Sequence, residues 1–297
     1  MSLPALVKRQ VDQALTEHGG GSVVGTSPVS GGCINNGARI ETEHGLHFFV
    51  KWNGSAPVGM FEAEIDGLEA LARTGTVRVP EAIACGGGNH EPSWLLLEYL
   101  PSGRPAPDYS ERLGTELALL HTSERERTFG WERDNWIGSL DQNNTSASDW
   151  GDFWSERRIV PQLRQARHRG FLTDEVLDHL IDVIPLAVAD VGPPGLLHGD
   201  LWSGNAFADA DGSPVVIDPA VYRGHGEVDL AMTELFGGFD RRFYSAYDEV
   251  IAISPAYEAY RRDLYQLYYL IVHVNLFGAA YEAGSLAAAS RVVAELS

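Results

Sequence analysis

Leu196-Leu197-His198-Gly199-Asp200-Leu201-Trp202-Ser203-Gly204-Asn205 reads as a short apolar strand running into a tight polar loop. The loop places His198, Asp200 and Asn205 in the order H-x-D-x-x-x-x-N. A little further on, Val215-Val216-Ile217-Asp218-Pro219 is a second apolar run that stops on a carboxylate. Gly, Asp, Ser and Asn all favour turns, so any one of these residues alone would read as a turn or a cap. Their ordered context carries more. Asp200 is a group that can orient a hydroxyl and take its proton. Asn205 offers a neutral carbonyl oxygen and Asp218 an anionic one, a donor pair suited to a hard cation such as Mg²⁺.

Those are the needs of phosphoryl transfer to an alcohol: a proton acceptor, a divalent metal on the phosphates and in-line positioning. The spacing is that of the protein-kinase catalytic loop, with Gly199 where that pattern has Arg and Asp218 in the place of the DFG Asp. The DFG and APE signatures themselves are missing, which argues against a protein-serine kinase.

The chain of 297 residues suits one large domain or two lobes. Apolar content of 44% and charged content of 21% are ordinary for a soluble globular protein. A net charge of −19 opposes nucleic acid and anionic membranes as partners. Cys33 and Cys85 make neither a disulfide framework nor a zinc cluster. Met1 to Gln10 lacks the apolar run of a signal peptide, and no apolar stretch is long enough to span a bilayer. A cytoplasmic location is the expectation.

Upstream of the loop, Leu3 to Glu17 has helical apolar spacing and stops at Gly19-Gly20-Gly21. Ser22 to Ser30 and Ala38 to Thr42 then read as strands of a hairpin with a glycine-rich turn over Gly31–Gly37. Leu46 to Trp52 is a third strand and carries Lys51. Gly31, Gly32, Cys33 and Asn35 either lay backbone N–H groups over phosphates or simply make the turn. No G-x-G-x-x-G or Walker A sequence is present. Lys51 has the place of the strand lysine that reaches the α/β-phosphates. Met60 to Arg73 reads as a helix, and Glu64, beside its apolar face, is the expected partner of Lys51, with Glu62 in reserve. Strands at Val79–Gly86 and Trp94–Leu100 complete a five-stranded antiparallel lobe. Glu98 and Leu100 are the candidates to pass the adenine. The Pro-rich segment Pro101–Pro107 sets a boundary, with an ATP-binding lobe over residues 1–100 and a catalytic, substrate-binding lobe over 101–297.

Beyond it the pattern turns helical: Tyr109–His121, Asp152–Arg169, Thr173–Val188, Glu227–Phe236, Arg241–Ile251, Tyr257–Ala283 and Leu286–Leu296, with an irregular Phe129–Trp150 segment between the first two. The fold class expected is α+β, a two-lobed protein-kinase-like fold with a mainly α-helical second lobe.

With that order laid out, the chain resembles the fructosamine-3-kinase (ketosamine-3-kinase) family, relatives of aminoglycoside phosphotransferases and choline kinases. The residues that carry the likeness are His198 to Asn205, where Leu201-Trp202-Ser203-Gly204 separates the family from its aminoglycoside cousins. Supporting matches are Phe48–Lys51, Phe61–Glu64, Asp134–Gly138, Trp154–Gln162, Ile217–Ala220 and Tyr222–Met232. The resemblance implies ATP- and Mg²⁺-dependent phosphorylation of the sugar 3-hydroxyl of a ketosamine, a glycated small molecule or protein lysine. The unstable 3-phosphate then falls apart and frees the amine. It implies Asp200 as base, Asn205 and Asp218 as metal ligands, Lys51 on the phosphates and Glu64 as its partner.

His198 is read with the loop's support or the substrate. Glu227 and Asp229 match family acids behind the loop, although a helix start at Gly226-Glu227 accounts equally well for Glu227. Trp202 either packs on the sugar or alkyl-amine or plugs the loop into the core. Arg157 and Arg158 read as structural ion-pair partners, and Cys85 as buried and inert. Cys33 is either a small turn residue or, near backbone N–H groups, a thiol that cross-links two protomers when oxidised. Two rival functions stay open: another small-molecule kinase of the aminoglycoside or choline type, and an inactive nucleotide-binding relative.

Overall fold

Helix α1 (Ala5–Glu17) buries Val7, Val11, Ala14 and Leu15 on one stripe, the spacing of a helix laid on a sheet. That sheet is antiparallel: β1 (Val23–Pro28), β2 (Asn36–Thr42), β3 (His47–Asn53), β4 (Ala82–Gly88) and β5 (Glu91–Glu98), in the spatial order β1-β2-β3-β5-β4. The computed structural model describes residues 3–29, 34–88, 90–123 and 126–297. The expected glycine-rich tip at Gly31, Gly32 and Cys33 lies outside the described residues.

Successive strand residues point to opposite faces. Ala38 and Ile40 of β2, Val50 and Trp52 of β3, and Trp94 and Leu96 of β5 form one buried cluster with α1. Lys51, between Val50 and Trp52, is delivered to the other face, in register with Gly37 and Leu95. Helix α2 (Met60–Thr74) supplies Glu64 and ends on Gly75, whose φ of +65° suits a residue without Cβ.

The chain then runs through α3 (Tyr109–Ser123), a hairpin of β6 (Asn135–Ile137) and β7 (Leu140–Gln142), and α4 (Trp150–Phe153). A π-helical turn, Trp154–Ile159, joins α4 to α5 (Val160–His168), and α6 (Val176–Ala187) follows. Next come β8 (Gly195–Leu197), β9 (Ala206–Ala208), β10 (Pro214–Val216) and β11 (Tyr222–Gly224). Helices α7 (Glu227–Leu235), α8 (Arg241–Asp248), α9 (Arg262–Phe277) and α10 (Glu282–Leu296) complete the chain.

A second, larger core joins both halves. Phe61, Leu68 and Leu71 of α2 and Leu95 and Leu97 of β5 share it with Leu197, Val221, Tyr222 and the α9 tyrosines Tyr265, Tyr268 and Tyr269.

Three expectations are corrected here. The helix expected over Tyr257–Ala283 breaks at Gly278, where φ is +89°, and α10 starts at Glu282 instead of Leu286. Among the described residues Arg158 makes no ion pair. It is fully buried, donates to Asn143 O at 2.6 Å and Asn144 Oδ1 at 2.7 Å, and lies 4.0 Å over the Tyr222 ring. Carbonyl oxygens and π faces take the place of a carboxylate. Cys85 is half-buried; burial, with Glu62 nearby, pushes its thiol up to about 11, so it stays protonated.

Candidate active site

Two short ladders hold the site in shape. β8 and β11 set Leu197 against Tyr222, and β9 and β10 set Ala206 against Val216. The loop ends are thereby pinned: Ile217 N–H donates to Asn205 O at 3.0 Å and Ala220 N–H to His198 O at 2.9 Å. At Gly199 φ is +83°, and a Cβ would stand 2.1 Å from Ala220 O. Glycine replaces the Arg of the protein-kinase pattern because no side chain fits there. Asp218 also adopts a left-handed backbone, φ +57°, a conformation costing a non-glycine residue about 1–3 kcal/mol.

Lys51 Nζ donates to Glu64 Oε1 at 2.7 Å and to Asp218 Oδ1 at 2.8 Å. The first contact is the expected one; the second was not anticipated. Burial works against the Lys51 charge, and the carboxylates of Asp218 and Glu64 more than offset it, so its pKa is raised. Burial raises the Glu64 pKa while Lys51 opposes the rise.

Asp200 lines the same cavity as Lys51 and Asp218. Burial, then the charges of Asp218 and Asp229, push its carboxyl up to about 7. Asn205 Nδ2 donates to Asp200 O at 2.8 Å.

Behind the loop, Asp229 accepts from His198 N at 2.8 Å and Gly199 N at 2.9 Å, and meets His121 Nε2 at 3.1 Å. His121 Nδ1 in turn meets Tyr247 Oη at 2.8 Å. His198 is buried and internal to the loop: Nε2 bonds Ile217 O at 3.0 Å and Nδ1 accepts from Asp200 N. Its pKa is lowered by burial, against the pull of Asp229. The Tyr269 hydroxyl donates to Gly199 O at 2.8 Å.

Glu227 does not join this group. It accepts from Ser254 N, and its Oε2 lies 2.9 Å from Arg261 Nε, tying α7 to the π-helical turn that precedes α9. Of its two readings, the helix-start one fits.

One cavity of about 820 Å³ takes in Lys51, Glu64, Asp200, Asn205 and Asp218, within the size range of small-molecule sites. Asn35, Glu98 and Leu100 line it too. The Glu98 N–H is already bonded to Glu81 O and its carboxylate to Arg78, so neither faces a ligand unencumbered. Trp202 is half-buried on the cavity wall, edge-on to Phe236 at 6.2 Å. It lies over Gly204, where a Cβ would stand 2.3 Å from the ring. It leans on the core from outside and leaves a side to the cavity.

An amide relay was missed altogether. Asn135 Nδ2 donates to Val221 O, Gln142 Nε2 to Ala220 O, and Tyr268 Oη to Gln142 Oε1. It braces the segment that follows Asp218. Its traces in the sequence are the family match at Asp134–Gly138 and a wealth of Asn and Gln between Asn135 and Asn144.

The profile of the family described as fructosamine kinase matches residues 7–295 of the chain. The chain belongs to the fructosamine kinase family. The chain is 45% identical to a protein of Synechocystis sp. named as a ketoamine kinase, over 86% of this chain and 85% of that one. It is 40% identical to the chloroplastic protein-ribulosamine 3-kinase of Arabidopsis thaliana, over 92% of this chain and 83% of the relative. Among solved structures, one from Thermobifida fusca named as a fructosamine-3-kinase is 36% identical, with a TM-score of 0.84 over 96% of this chain and 98% of the other. A mutant aminoglycoside phosphotransferase in complex with ADP and hygromycin B, 17% identical with a TM-score of 0.63, covers 96% of this chain and 98% of its own. It shares the protein-kinase-like fold.

Proposed function

We propose that this member of the family uses ATP to phosphorylate the sugar 3-hydroxyl of ketosamines, which leads to release of the amine. Family membership carries the reaction class, a phosphotransferase with an alcohol group as acceptor. The convergence of Lys51, Glu64, Asp200, Asn205 and Asp218 on one cavity is the observation that supports this chain's competence for it.

In this reading Asp200 takes the proton of the acceptor hydroxyl. Lys51, held by Glu64, contacts the α/β-phosphates, and Leu100 with the Glu98 backbone borders the adenine. His198, Asp229 and Tyr269 hold the loop. In the same reading residues 1–100 form the ATP-binding lobe and 101–297 the catalytic and substrate-binding lobe.

The donor set fits Mg²⁺. Asn205 spends its amide nitrogen on the Asp200 carbonyl, which leaves its oxygen to accept, and Asp218 is a partly exposed carboxylate. Among the described residues no group of three or more His, Cys, Asp or Glu is placed to hold a metal. A cation at Asn205 and Asp218 would therefore complete its shell with phosphate oxygens and water, the habit of Mg²⁺. Bound there, the ion neutralises phosphate charge.

A cytoplasmic setting belongs to the same proposal; among the described residues no helix is long and apolar enough to cross a membrane. The Cys33 cross-link concerns a residue outside the described ones. The deciding assay is ATP consumption with ribulosyl-lysine, fructosyl-lysine and an aminoglycoside in parallel. Turnover of a ketosamine is expected; turnover of the aminoglycoside alone would overturn the assignment.

A further inference from the structure

The cavity continues past Asp200 along a chain of aromatic rings. Trp202 meets Phe236 edge-on at 6.2 Å, and Phe236 meets His273 at 5.0 Å. His273 meets Phe277 at 5.4 Å and Tyr281 at 4.9 Å, and those two lie 6.2 Å apart. All five rings line the cavity.

The backbone accounts for the grouping. His273 and Phe277 are four apart on α9 and so share a face. The break at Gly278, φ +89°, carries Tyr281 back over His273. His273 Nδ1 bonds Tyr269 O at 2.7 Å, and burial lowers the ring's pKa, so it presents a neutral face. The acids that line the cavity are Glu64, Glu98, Asp200 and Asp218, and none belongs to this stretch. Phe236 and Phe277 are each about half exposed at its outer end, 42% and 51%. Large aromatic side chains left uncovered beside a reacting centre mark a surface that something apolar covers in use.

Resting on the ketosamine reading above, the ring chain has one natural occupant. With the sugar 3-hydroxyl at Asp200, the amine nitrogen is separated from the reacting oxygen by three carbons only. Whatever the amine carries must then leave along the cavity wall. We propose that Phe236, Phe277 and Tyr281 form a subsite for that amine-borne tail and select apolar and aromatic tails over small or acidic ones. Ring faces are negative, so they attract the protonated amine and apolar C–H groups and disfavour a carboxylate.

The test uses three ketosamines that share one sugar and differ in the amine: methylamine, benzylamine and glutamate. With the purified full-length chain, kcat/KM for the benzylamine compound is expected to exceed that for the methylamine compound about tenfold, mostly through KM. The glutamate compound is expected to fall below both. In Phe277→Ala and Tyr281→Ala the benzyl-to-methyl ratio is expected to drop toward one. The ratio compares two substrates on one protein, so a partly unfolded preparation leaves it unchanged. Equal kcat/KM for methyl and benzyl tails in the wild type, or a ratio that survives both substitutions, would overturn the subsite while leaving the kinase reading intact. No turnover of any of the three would overturn the kinase reading and the subsite with it.

Discussion

At the scale of single residues the site is a set of charges held against their own solvation. Asp200 is half-buried, close to the charges of two other carboxylates, and in the proposed reaction it receives the hydroxyl proton. Asp200→Asn keeps the shape and removes the proton acceptor. Turnover is expected to fall by about 10²–10⁴-fold, with nucleotide affinity by calorimetry changed only a few-fold; retained turnover would remove Asp200 from the mechanism. Glu64 meets Lys51 at 2.7 Å in a charge-assisted bond, and such bonds are worth about 1.5–3 kcal/mol. Glu64→Gln should lower kcat/KM for ATP by roughly ten- to a hundredfold. An unchanged value would mean that Asp218 alone positions the lysine. The meeting of Lys51, Glu64, Asp200, Asn205 and Asp218 on one cavity was legible in the sequence, because each stands in an ordered strand, helix or loop pattern that predicts its placement. The direct Lys51–Asp218 contact was not, since it depends on a backbone turn at Asp218 that no spacing reveals.

Secondary-structure elements carry the next layer. The loop from His198 to Asn205 is clasped by two ladders and by the carboxylate of Asp229, and Gly199 lets its backbone pass close to Ala220. Gly199→Ala is expected to destabilise the fold by about 1–3 kcal/mol and to abolish most activity. Gly192→Ala, with an ordinary φ and open space around it, serves as the control and should change neither in a denaturant titration or an assay. Strands and helices with clean periodicity, such as β3 and α2, were readable from the chain. The end of α9 was not: apolar spacing runs on past Gly278, and only the glycine's positive φ breaks it. Arg158 misled for a related reason. Two adjacent arginines on a helix read as ion-pair partners, whereas the tertiary fold supplies Arg158 with aromatic faces and carbonyls that the local sequence does not show.

Over the whole molecule, buried titrating groups set the response to acid. His225 bonds Tyr265 Oη at 2.8 Å and lies 3.8 Å from Glu227 Oε2; burial, then the charges of Arg261 and His121, lower its pKa to about 3. Its depressed folded-state pKa means the unfolded chain binds the extra proton first. Stability from this residue is therefore complete above the ordinary histidine range and drains away as pH falls from about 6.5 toward 3. Asp200 and Glu227, raised to about 7, act with the opposite sign. A comparison with His225→Gln isolates the histidine: the wild type's lead in unfolding free energy should shrink by about 1.4 kcal/mol per pH unit in that window. A constant gap across pH would show that His225 is solvated.

The core shared by α2, β5 and α9 has a consequence for control. In α2, the Cβ that Gly67 lacks would stand 3.2 Å from Val221, so the helix that carries Glu64 is wedged onto the segment that carries Asp218. An outward swing of α2 would have to undo this packing as well as the Lys51–Glu64 bond.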